Sequence, residues 1–592
     1  MSTVEGTMNL ARLISTVHNQ KNSYMNGYLK ALGLSHGQAI TLKIIHEENC
    51  IKQDDLNKRL QIDKSAVTRI LKTLEEKGLI VKTRCEDDKR NQHIVLTDEG
   101  KKLYPSIKQI VLQTANEMLE GIDENQQKQL EKLLLKMKKI WREKMNKSDK
   151  MGTKKILPLL VEFSIPAIIG MLVNAIYNIV DRMFIGNAPE LGSVGLAGIS
   201  ICYPVTLVLM AISLMIGMGG ATRFSIALGQ GKKEDAGMYM GNGLTLTIIL
   251  GLIFMILGNL FLDPMLKVLG ASKTVLPYAE SYLSIILYGA VFQCVAMAGN
   301  NFSRAQGNPK NAMISQLIGA GFNILFDYIL ICIFHMGMEG AALATIGGQL
   351  LSALWQLAFL FGKRTLITLN MSLLKLNFSV SKQIIQTGIP AFLMQISNSV
   401  LNIILNASLV KYGGDLALSA IGIVTSIQTL ILMPITGLMQ GQQPLISYNF
   451  GARKIDRVKE TLKYAIVGAT VIAGIGFIAV QFFTKNIVYL FNNEEDVVAL
   501  CSHALHIWFI CLPVIGAQII CANYFQAIGK IKISSVLNLL RQVIILIPCI
   551  LILSTIFGLD GIFMAVPIAD FSAFVITIVL LSCSLKKEIK MS

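Results

Sequence analysis

Twelve apolar stretches, each long enough to cross a lipid bilayer, fill the sequence between residues 155 and 585. A helix needs roughly 20 apolar residues to span the bilayer core, and backbone groups in lipid must bond within their own helix. The sequence therefore predicts a mainly α-helical protein with twelve transmembrane helices. The expected spans lie near residues 156–185, 194–221, 238–262, 277–300, 312–334, 340–362, 383–409, 415–443, 461–484, 503–526, 533–556 and 562–584.

Charge divides the chain into two parts near residue 150. Residues 1–150 contain 27 Lys and Arg and 20 Asp and Glu, whereas residues 151–592 contain 27 and 18 over almost three times the length. The first part is expected to be soluble, while the mean hydropathy of +0.54 for the whole chain indicates a membrane protein. We expect a soluble domain at 1–147, a short polar linker at 148–155, an N-lobe of six helices at 156–365 and a C-lobe of six at 366–592.

The loops between the spans carry unequal charge. Nineteen Lys and Arg residues fall on one side of the predicted membrane and five on the other. Because basic residues accumulate in cytoplasmic loops, we expect a multi-pass protein of the cell membrane with both chain ends in the cytoplasm.

The N-terminus lacks a basic segment followed by an apolar one, so no secretory signal is expected. The ten cysteines lack metal-ligand spacing, so neither a metal nor a cofactor is expected.

The two sets of six spans repeat each other at a spacing of 220–224 residues. Six helices return the chain to the same side of the membrane, so the halves share one orientation. This predicts two lobes around a central cleft, an arrangement that supports alternating access. A channel or membrane enzyme is the alternative, but the sequence has no evident nucleophile, metal or cofactor pattern. The matched segments begin at Ser164 and Gly388, Gly229 and Asn449, Arg304 and Phe525, and Met336 and Phe557.

Residues 155–588 resemble the multidrug and toxic compound extrusion (MATE) family. The resemblance rests on the 6+6 repeat and on five segments: NIVDRMFIG with the preceding Pro166, GQGKKEDA, RAQGNP, GFNILFDYIL and GMEGAALAT. Members of this family export cationic, amphipathic drugs in exchange for protons or sodium ions. The resemblance implies small-molecule drugs and one of these two ions as partners, and no enzymatic activity.

Ionisable residues inside the predicted spans are few, and each is a candidate for function because an unpaired charge in lipid is costly. Asp181 and Asp327 lie at similar depth in the N-lobe, where they could share a proton or hold a sodium ion. Asn174, Asn178 and Asn323 are expected to face the same interior by helical spacing. Both aspartates match the acidic positions through which the family couples its ion. The alternative is a hydrogen-bonded aspartate that only packs the lobe.

Further residues are candidates for the moving parts and the drug cleft. Pro166 should kink the first span, either as a hinge between two states or as a static bend. In the last span, Asp570 could attract cationic substrate, with Arg541 either as its partner or in contact with lipid headgroups. The polar candidates for contact with the drug are Tyr177, Asn178, Gln293 and Asn398.

The soluble part has the pattern of a winged helix-turn-helix. Short helices are predicted at 52–60 and 64–78, a β-hairpin at 79–97, and longer helices at 8–31 and 101–147. The second helix of such a unit enters the DNA major groove, and hairpin residues contact the neighbouring backbone or minor groove. Asp63 is expected to cap the second helix. The candidate DNA contacts are Lys64, Ser65, Thr68 and Arg69 on the helix and Lys89 and Arg90 in the hairpin.

The run DKRNQHIVLTDEG at residues 88–100 resembles the wing of the multiple antibiotic resistance regulator (MarR) family, over about residues 5–147. The resemblance implies binding to a double-stranded DNA operator and a homodimer built by the terminal helices. In one hypothesis the chain exports drugs and also represses its own gene. In a second, the domain is only a ligand sensor or dimeriser of the transporter. A third is a lipid or polysaccharide flippase, whose cleft should be basic.

Overall fold

The computed structural model describes residues 2–49, 51–60, 64–84, 92–188, 191–362 and 365–591. The chain forms two compact units, Met1–Trp141 and Arg142–Ser592. The boundary lies six residues before the predicted end of the soluble domain at 147. Residues 148–153, expected in a polar linker, form the end of helix α6, and Met151 is fully buried. These residues do not form the expected linker because they continue the amphipathic helix α6, which buries the Met151 side chain.

Within its described residues, the N-terminal unit combines six helices with a three-stranded antiparallel sheet of order β1-β3-β2. Strand β2 pairs with β3 from Ile80 opposite Leu96 to Arg84 opposite Gln92. This is the predicted winged helix-turn-helix, with α3 and α4 followed by the hairpin. The elements are α1 Ser2–Ala31, α2 His36–Glu48, β1 Ile51–Lys52, α3 Gln53–Leu60, α4 Lys64–Glu76, β2 Ile80–Arg84, β3 Gln92–Leu96, α5 Asp98–Met118 and α6 Glu124–Thr153.

Two features of this unit differ from the sequence prediction. Helix α2 was not predicted, although Ser35 and Gln38 form a capping box at its start. The single helix expected at 101–147 is two helices, α5 and α6. Gly121 lies between them with a φ of 83°, and Asp123 accepts a hydrogen bond from the backbone N–H of Gln126 at 2.8 Å. The positive φ and the new cap end one helix and start the next.

The second unit contains ten helices that are long and apolar enough to cross a membrane, and two bent helix pairs bring the number of spans to twelve within the described residues. These spans match the predicted positions closely. The helices are α7 Ile156–Asn187, α8 Gly192–Gly229, α9 Lys233–Leu260, α10 Leu262–Val268, α11 Leu276–Tyr288, α12 Ala290–Ala305, α13 Pro309–Asp327, α14 Gly337–Leu360, α15 Phe378–Gly451, α16 Ile455–Tyr489, α17 Glu495–Trp508, α18 Leu512–Ala527, α19 Ile531–Leu539, α20 Ile547–Phe557 and α21 Leu559–Met591.

The internal repeat is visible in the irregular features of both lobes. The pair α11 and α12 bends by 52°, and the corresponding pair α17 and α18 bends by 54°. A π-helical turn follows α13 at Tyr328–Ile333 in the N-lobe, and another follows α19 at Leu540–Leu546 in the C-lobe. Helix α15 is divided into two spans at Gly414, whose φ of 59° is readily adopted only by glycine. The lobes therefore share local backbone irregularities as well as helix order.

The lobes pack tightly at one end of the bundle, where glycines allow backbones to touch. A Cβ on Gly388 would overlap the carbonyl oxygen of Met215, and one on Gly451 would overlap that of Ile226. A Cβ on Gly229 would likewise overlap the carbonyl oxygen of Tyr448. The loops that follow α8 and α15 lie at this end and carry Lys232, Arg453 and Lys454, and α9 begins there with Lys233. We call it the basic end, and it is closed.

Candidate ion and substrate site

Two aspartates lie buried together in the N-lobe. Asp181 is on α7 and is 8% exposed, and Asp327 ends α13 and is fully buried. They are close enough to interact electrostatically, as the sequence predicted from their similar depth. The π-helical turn Tyr328–Ile333 begins directly after Asp327. Such turns widen a helix locally and are frequent at functional sites.

Several oxygen atoms in this cluster have no hydrogen-bond partner among the described residues. They are Asp181 Oδ1, both carboxylate oxygens of Asp327, and Asn323 Oδ1. A buried polar atom without a partner costs about 1–3 kcal/mol, and more when the group is charged. Four such acceptors in one buried cluster form an arrangement that a proton or a small cation would stabilise.

Two residues that the sequence did not single out complete the cluster. The side-chain N–H of Asn323 donates to Thr345 Oγ1 on α14 at 3.4 Å. Tyr282, on α11 and 7% exposed, lies within electrostatic range of both aspartates, as does Tyr177. Tyr282 and Thr345 lie on helices far from Asp181 in sequence, and their types are common in membrane spans. No sequence signal identifies them.

The predicted asparagines separate in the structure. Asn323 is buried next to Asp327, as expected. Asn174 is half-buried and Asn178 is exposed. Asn178 Nδ2 donates to the backbone carbonyl of Asn174 at 2.6 Å. Asn178 is therefore not buried with Asp181, and its amide bonds to its own helix one turn earlier.

Pro166 is buried in the first half of α7, which continues as one helix from Ile156 to Asn187. The backbone of α7 comes close to α15 in this region. A Cβ on Gly441 would overlap the Ser164 side chain, and one on Gly437 would lie 2.7 Å from the Cα of Ile168. Pro166 thus lies where the first span contacts the opposite lobe, near the basic end.

Two of the candidates for drug contact, Gln293 and Asn398, form hydrogen bonds within their own lobe. Gln293 Oε1 accepts from Gln349 Nε2 at 3.5 Å in the N-lobe. Asn398 Oδ1 accepts from Gln542 Nε2 at 2.6 Å in the C-lobe. Tyr177 is half-buried beside the aspartates. The first two side chains are therefore held by neighbouring amides.

Asp570 and Arg541 form an ion pair in the C-lobe. Arg541 Nε donates to Asp570 Oδ1 at 2.7 Å, and their side chains are 16% and 1% exposed. Of the two roles considered for Arg541, the structure supports that of partner to Asp570. A carboxylate paired in this way has much of its charge compensated, which weakens the prediction that Asp570 attracts a cationic substrate.

The candidate DNA contacts lie at the start of α4. Thr68 and Arg69 are exposed, and Lys64 is the first residue of the helix with Ser65 next. Lys89, Arg90 and Asp63 lie outside the described residues. In the described part of the chain, no group of three or more His, Cys, Asp or Glu side chains is placed to hold a metal ion.

Comparison with known proteins identifies both parts of the chain. A family model described as MatE matches residues 166–329 and again residues 390–552, and the MarR family model matches residues 34–91. The double match, with its offset of about 223 residues, agrees with the internal repeat.

Similar proteins cover nearly the whole transporter unit. "Multidrug export protein MepA" of Staphylococcus aureus (strain MSSA476) is 31% identical over 415 residues, which are 70% of this chain and 91% of that protein. MepA of Staphylococcus haemolyticus is 30% identical over the same shares. Among solved structures, the MATE multidrug transporter DinF-BH in complex with R6G is 37% identical, with a TM-score of 0.69 over 73% of this chain and 96% of that one.

A second solved structure, titled as the outward-facing conformation of a multidrug resistance MATE family transporter, has a TM-score of 0.70 at 25% identity. It covers 74% of this chain and 99% of its own. The repeated lobes, the family match in both of them and the winged helix in the N-terminal unit lead to one conclusion. The chain belongs to the MATE family of transporters and carries a MarR-family domain at its N-terminus.

Proposed function

We propose that this protein exports cationic, amphipathic drugs in exchange for a proton or a sodium ion, and that Asp181 and Asp327 bind that ion. The observation that carries the proposal is the cluster of unpartnered oxygen atoms on these two residues and Asn323. Uncompensated carboxylates inside a membrane protein cost several kcal/mol. A proton would neutralise one carboxylate, and a sodium ion would be bound by oxygen ligands from all three residues.

The expected orientation indicates which side of the membrane the transporter faces in this conformation. If the basic end is cytoplasmic, as the loop charges indicate, the glycine contacts close the cytoplasmic side and the protein faces outward. In this state the ion site would exchange with the outside. We propose that Pro166 acts as a hinge, because it lies where α7 contacts α15 and would allow α7 to bend as that contact opens.

The drug would bind in the cleft between the lobes, close to the ion site. Tyr177, Asn178, Gln293 and Asn398 remain our candidates for contact with it. The two acids favour a cationic substrate over the anionic headgroups that a lipid or polysaccharide flippase handles. In addition, the positive charge of Arg541 is paired with Asp570, so that it is not available to an anion.

Drug transport into everted membrane vesicles tests this proposal. We expect accumulation of a fluorescent cationic dye to depend on an imposed proton gradient or an imposed sodium gradient, each applied alone. Transport that responds to neither gradient would contradict ion exchange. Transport of an anionic lipid analogue in place of the dye would favour the flippase.

For the N-terminal unit we propose a DNA-binding dimer. Arg69 and Thr68 are exposed at the start of α4, where a recognition helix meets DNA. Exposed apolar residues on the terminal helices support association with a second copy. They are Leu13, Ile14 and Val17 on α1, Leu112 and Met118 on α5, and Leu130, Leu133, Leu134 and Leu135 on α6. The alternative role, a sensor or dimeriser of the transporter, uses the same surface without DNA.

Replacing Arg69 by Ala should abolish binding of the full-length protein to the DNA upstream of its gene. We expect the wild type in detergent to retard this DNA in a gel, with weaker retardation as salt rises. Lys108→Ala removes the same charge from an exposed position on α5 and should leave retardation unchanged. If the wild type fails to retard the DNA at low salt, the sensor or dimeriser role is favoured.

A further inference from the structure

We propose that residues 150–155 form a clasp that holds the basic end of the transporter closed. The clasp comprises the last turn of α6 and the residues that lead into α7. It is continuous with the first span of the N-lobe, and its backbone binds side chains of the C-lobe. This inference goes beyond drug and ion exchange, since it concerns what stabilises one state of the transporter.

On the C-lobe side, three side chains bind the carbonyl groups at the end of α6. Asn449 Nδ2 donates to the carbonyl of Met151 at 3.0 Å, and Lys454 Nζ to that of Gly152 at 3.0 Å. Arg457 Nη2 donates to the carbonyls of Met151 at 3.1 Å and Lys154 at 2.7 Å. The last carbonyls of a helix lack partners within it, and cations at this end also interact favourably with the helix dipole.

Arg457 organises this contact. Its Nε donates to Asn449 Oδ1 at 3.0 Å, which orients the amide of Asn449 towards Met151. The guanidinium thus has bonds to two backbone carbonyls and one side chain, a use of its fixed fork of donors that a lysine cannot reproduce. The side chain of Met151 is fully buried, and a Cβ on Gly152 would lie 3.2 Å from the Tyr448 ring. The contact is therefore packed as well as hydrogen-bonded.

On the N-lobe side, the clasp is fixed to the start of α7. Glu162 forms ion pairs with Lys150 and with Lys154, the latter at 3.5 Å. Residues 150–155 would therefore move with α7. Opening the basic end would separate α7 from residues 449–457. Either the four hydrogen bonds from Asn449, Lys454 and Arg457 would then have to break, or the end of α6 would have to come away from α7.

The position of the clasp matches that of the closed gate. Tyr448 and Gly451, which pack against Gly229 and Ile226 of the N-lobe, flank Asn449 in sequence. Helix α6 begins at Glu124, inside the N-terminal unit, and ends in the clasp. A displacement of the last turn of α6 would therefore change the stability of the closed gate.

Hydrogen exchange of the purified full-length protein tests the clasp without drug or ion transport. In Arg457→Ala we expect backbone amides of residues 224–233, at the basic end of α8, to exchange on the order of tenfold faster. A tenfold change corresponds to a loss of about 1.4 kcal/mol in the free energy of opening the basic end. Amides of α11, Leu276–Tyr288, should exchange at the wild-type rate and report an intact fold. Lys463→Ala, an exposed charge on the same helix as Arg457, should leave both segments unchanged.

Arg457→Lys keeps the charge but not the fork of donors, and we expect it to have an intermediate effect. It also serves as the test variant if Arg457→Ala does not fold. Unchanged exchange at residues 224–233 in the folded variant would overturn the proposal, as would an equal rise in Lys463→Ala. Because the readout involves no substrate, failure of the clasp and failure of the transport proposal are distinguishable.

Discussion

Replacement of Asp181 by Asn is expected to reduce uphill drug export to the level of vesicles without transporter. Asparagine has nearly the same shape as aspartate but can neither release a proton nor supply a negative charge to a sodium ion. The ion gradient would then no longer drive the return of the drug-free transporter. Dye accumulation in everted vesicles with an imposed gradient measures the effect, with expression and membrane insertion expected at wild-type levels.

Asp263→Asn is a matched control for this prediction. Asp263 is an exposed acid on the short helix α10, where it pairs with Lys267 at 2.7 Å. It lies outside the buried cluster, and its replacement should leave export unchanged. Full export by Asp181→Asn would mean that Asp181 only packs the N-lobe, as the alternative hypothesis holds.

Gly388→Ala is expected to prevent closure of the basic end. The added Cβ would overlap the carbonyl oxygen of Met215, a backbone atom that cannot rotate away. Overpacking of this kind typically costs about 1–3 kcal/mol. Since each 1.4 kcal/mol is a factor of about ten, the closed state should lose up to about a hundredfold in population relative to the open state. Export should fall with it.

The distance between spin labels on Lys232 and Glu460 measures this change, because the two positions lie on opposite lobes near the basic end. We expect a longer distance in Gly388→Ala than in the wild type. Gly474→Ala is the control, since a Cβ at Gly474 has no atom within 4 Å in the structure. An unchanged distance in Gly388→Ala would show that the lobes can close without this contact.

Much of the fold follows from the sequence because lipid leaves few choices for an apolar segment. Span positions, the 6+6 repeat and the winged helix were predicted correctly, with helix ends that differ by several residues. The bends near Gly289 and Phe509 and the π-helical turns were not. These features depend on packing between helices, and Gly289 is one of many glycines in the spans, so its position in the bend gives no separate signal.

The site was predicted in part. Asp181 and Asp327 stand out because acids are rare in apolar spans, and helical spacing places Asn323 one turn before Asp327. Tyr282 and Thr345 could not be found in this way, because their proximity depends on how α11 and α14 cross the first span. The polar residues 148–153 resemble a linker in composition. The side chains that donate to their backbone carbonyls belong to Asn449, Lys454 and Arg457, about 300 residues later in the chain.

The central claim is that the carboxylates of Asp181 and Asp327 exchange an ion for the drug. Ion flux driven by drug tests it most directly, in proteoliposomes that contain the purified protein and begin without an ion gradient. Addition of a cationic drug on one side should drive protons or sodium ions in the opposite direction, detected with an internal pH dye or radioactive sodium. We predict that Asp327→Asn abolishes this flux. Drug movement with no counterflow of either ion, or undiminished counterflow in Asp327→Asn, would contradict the mechanism.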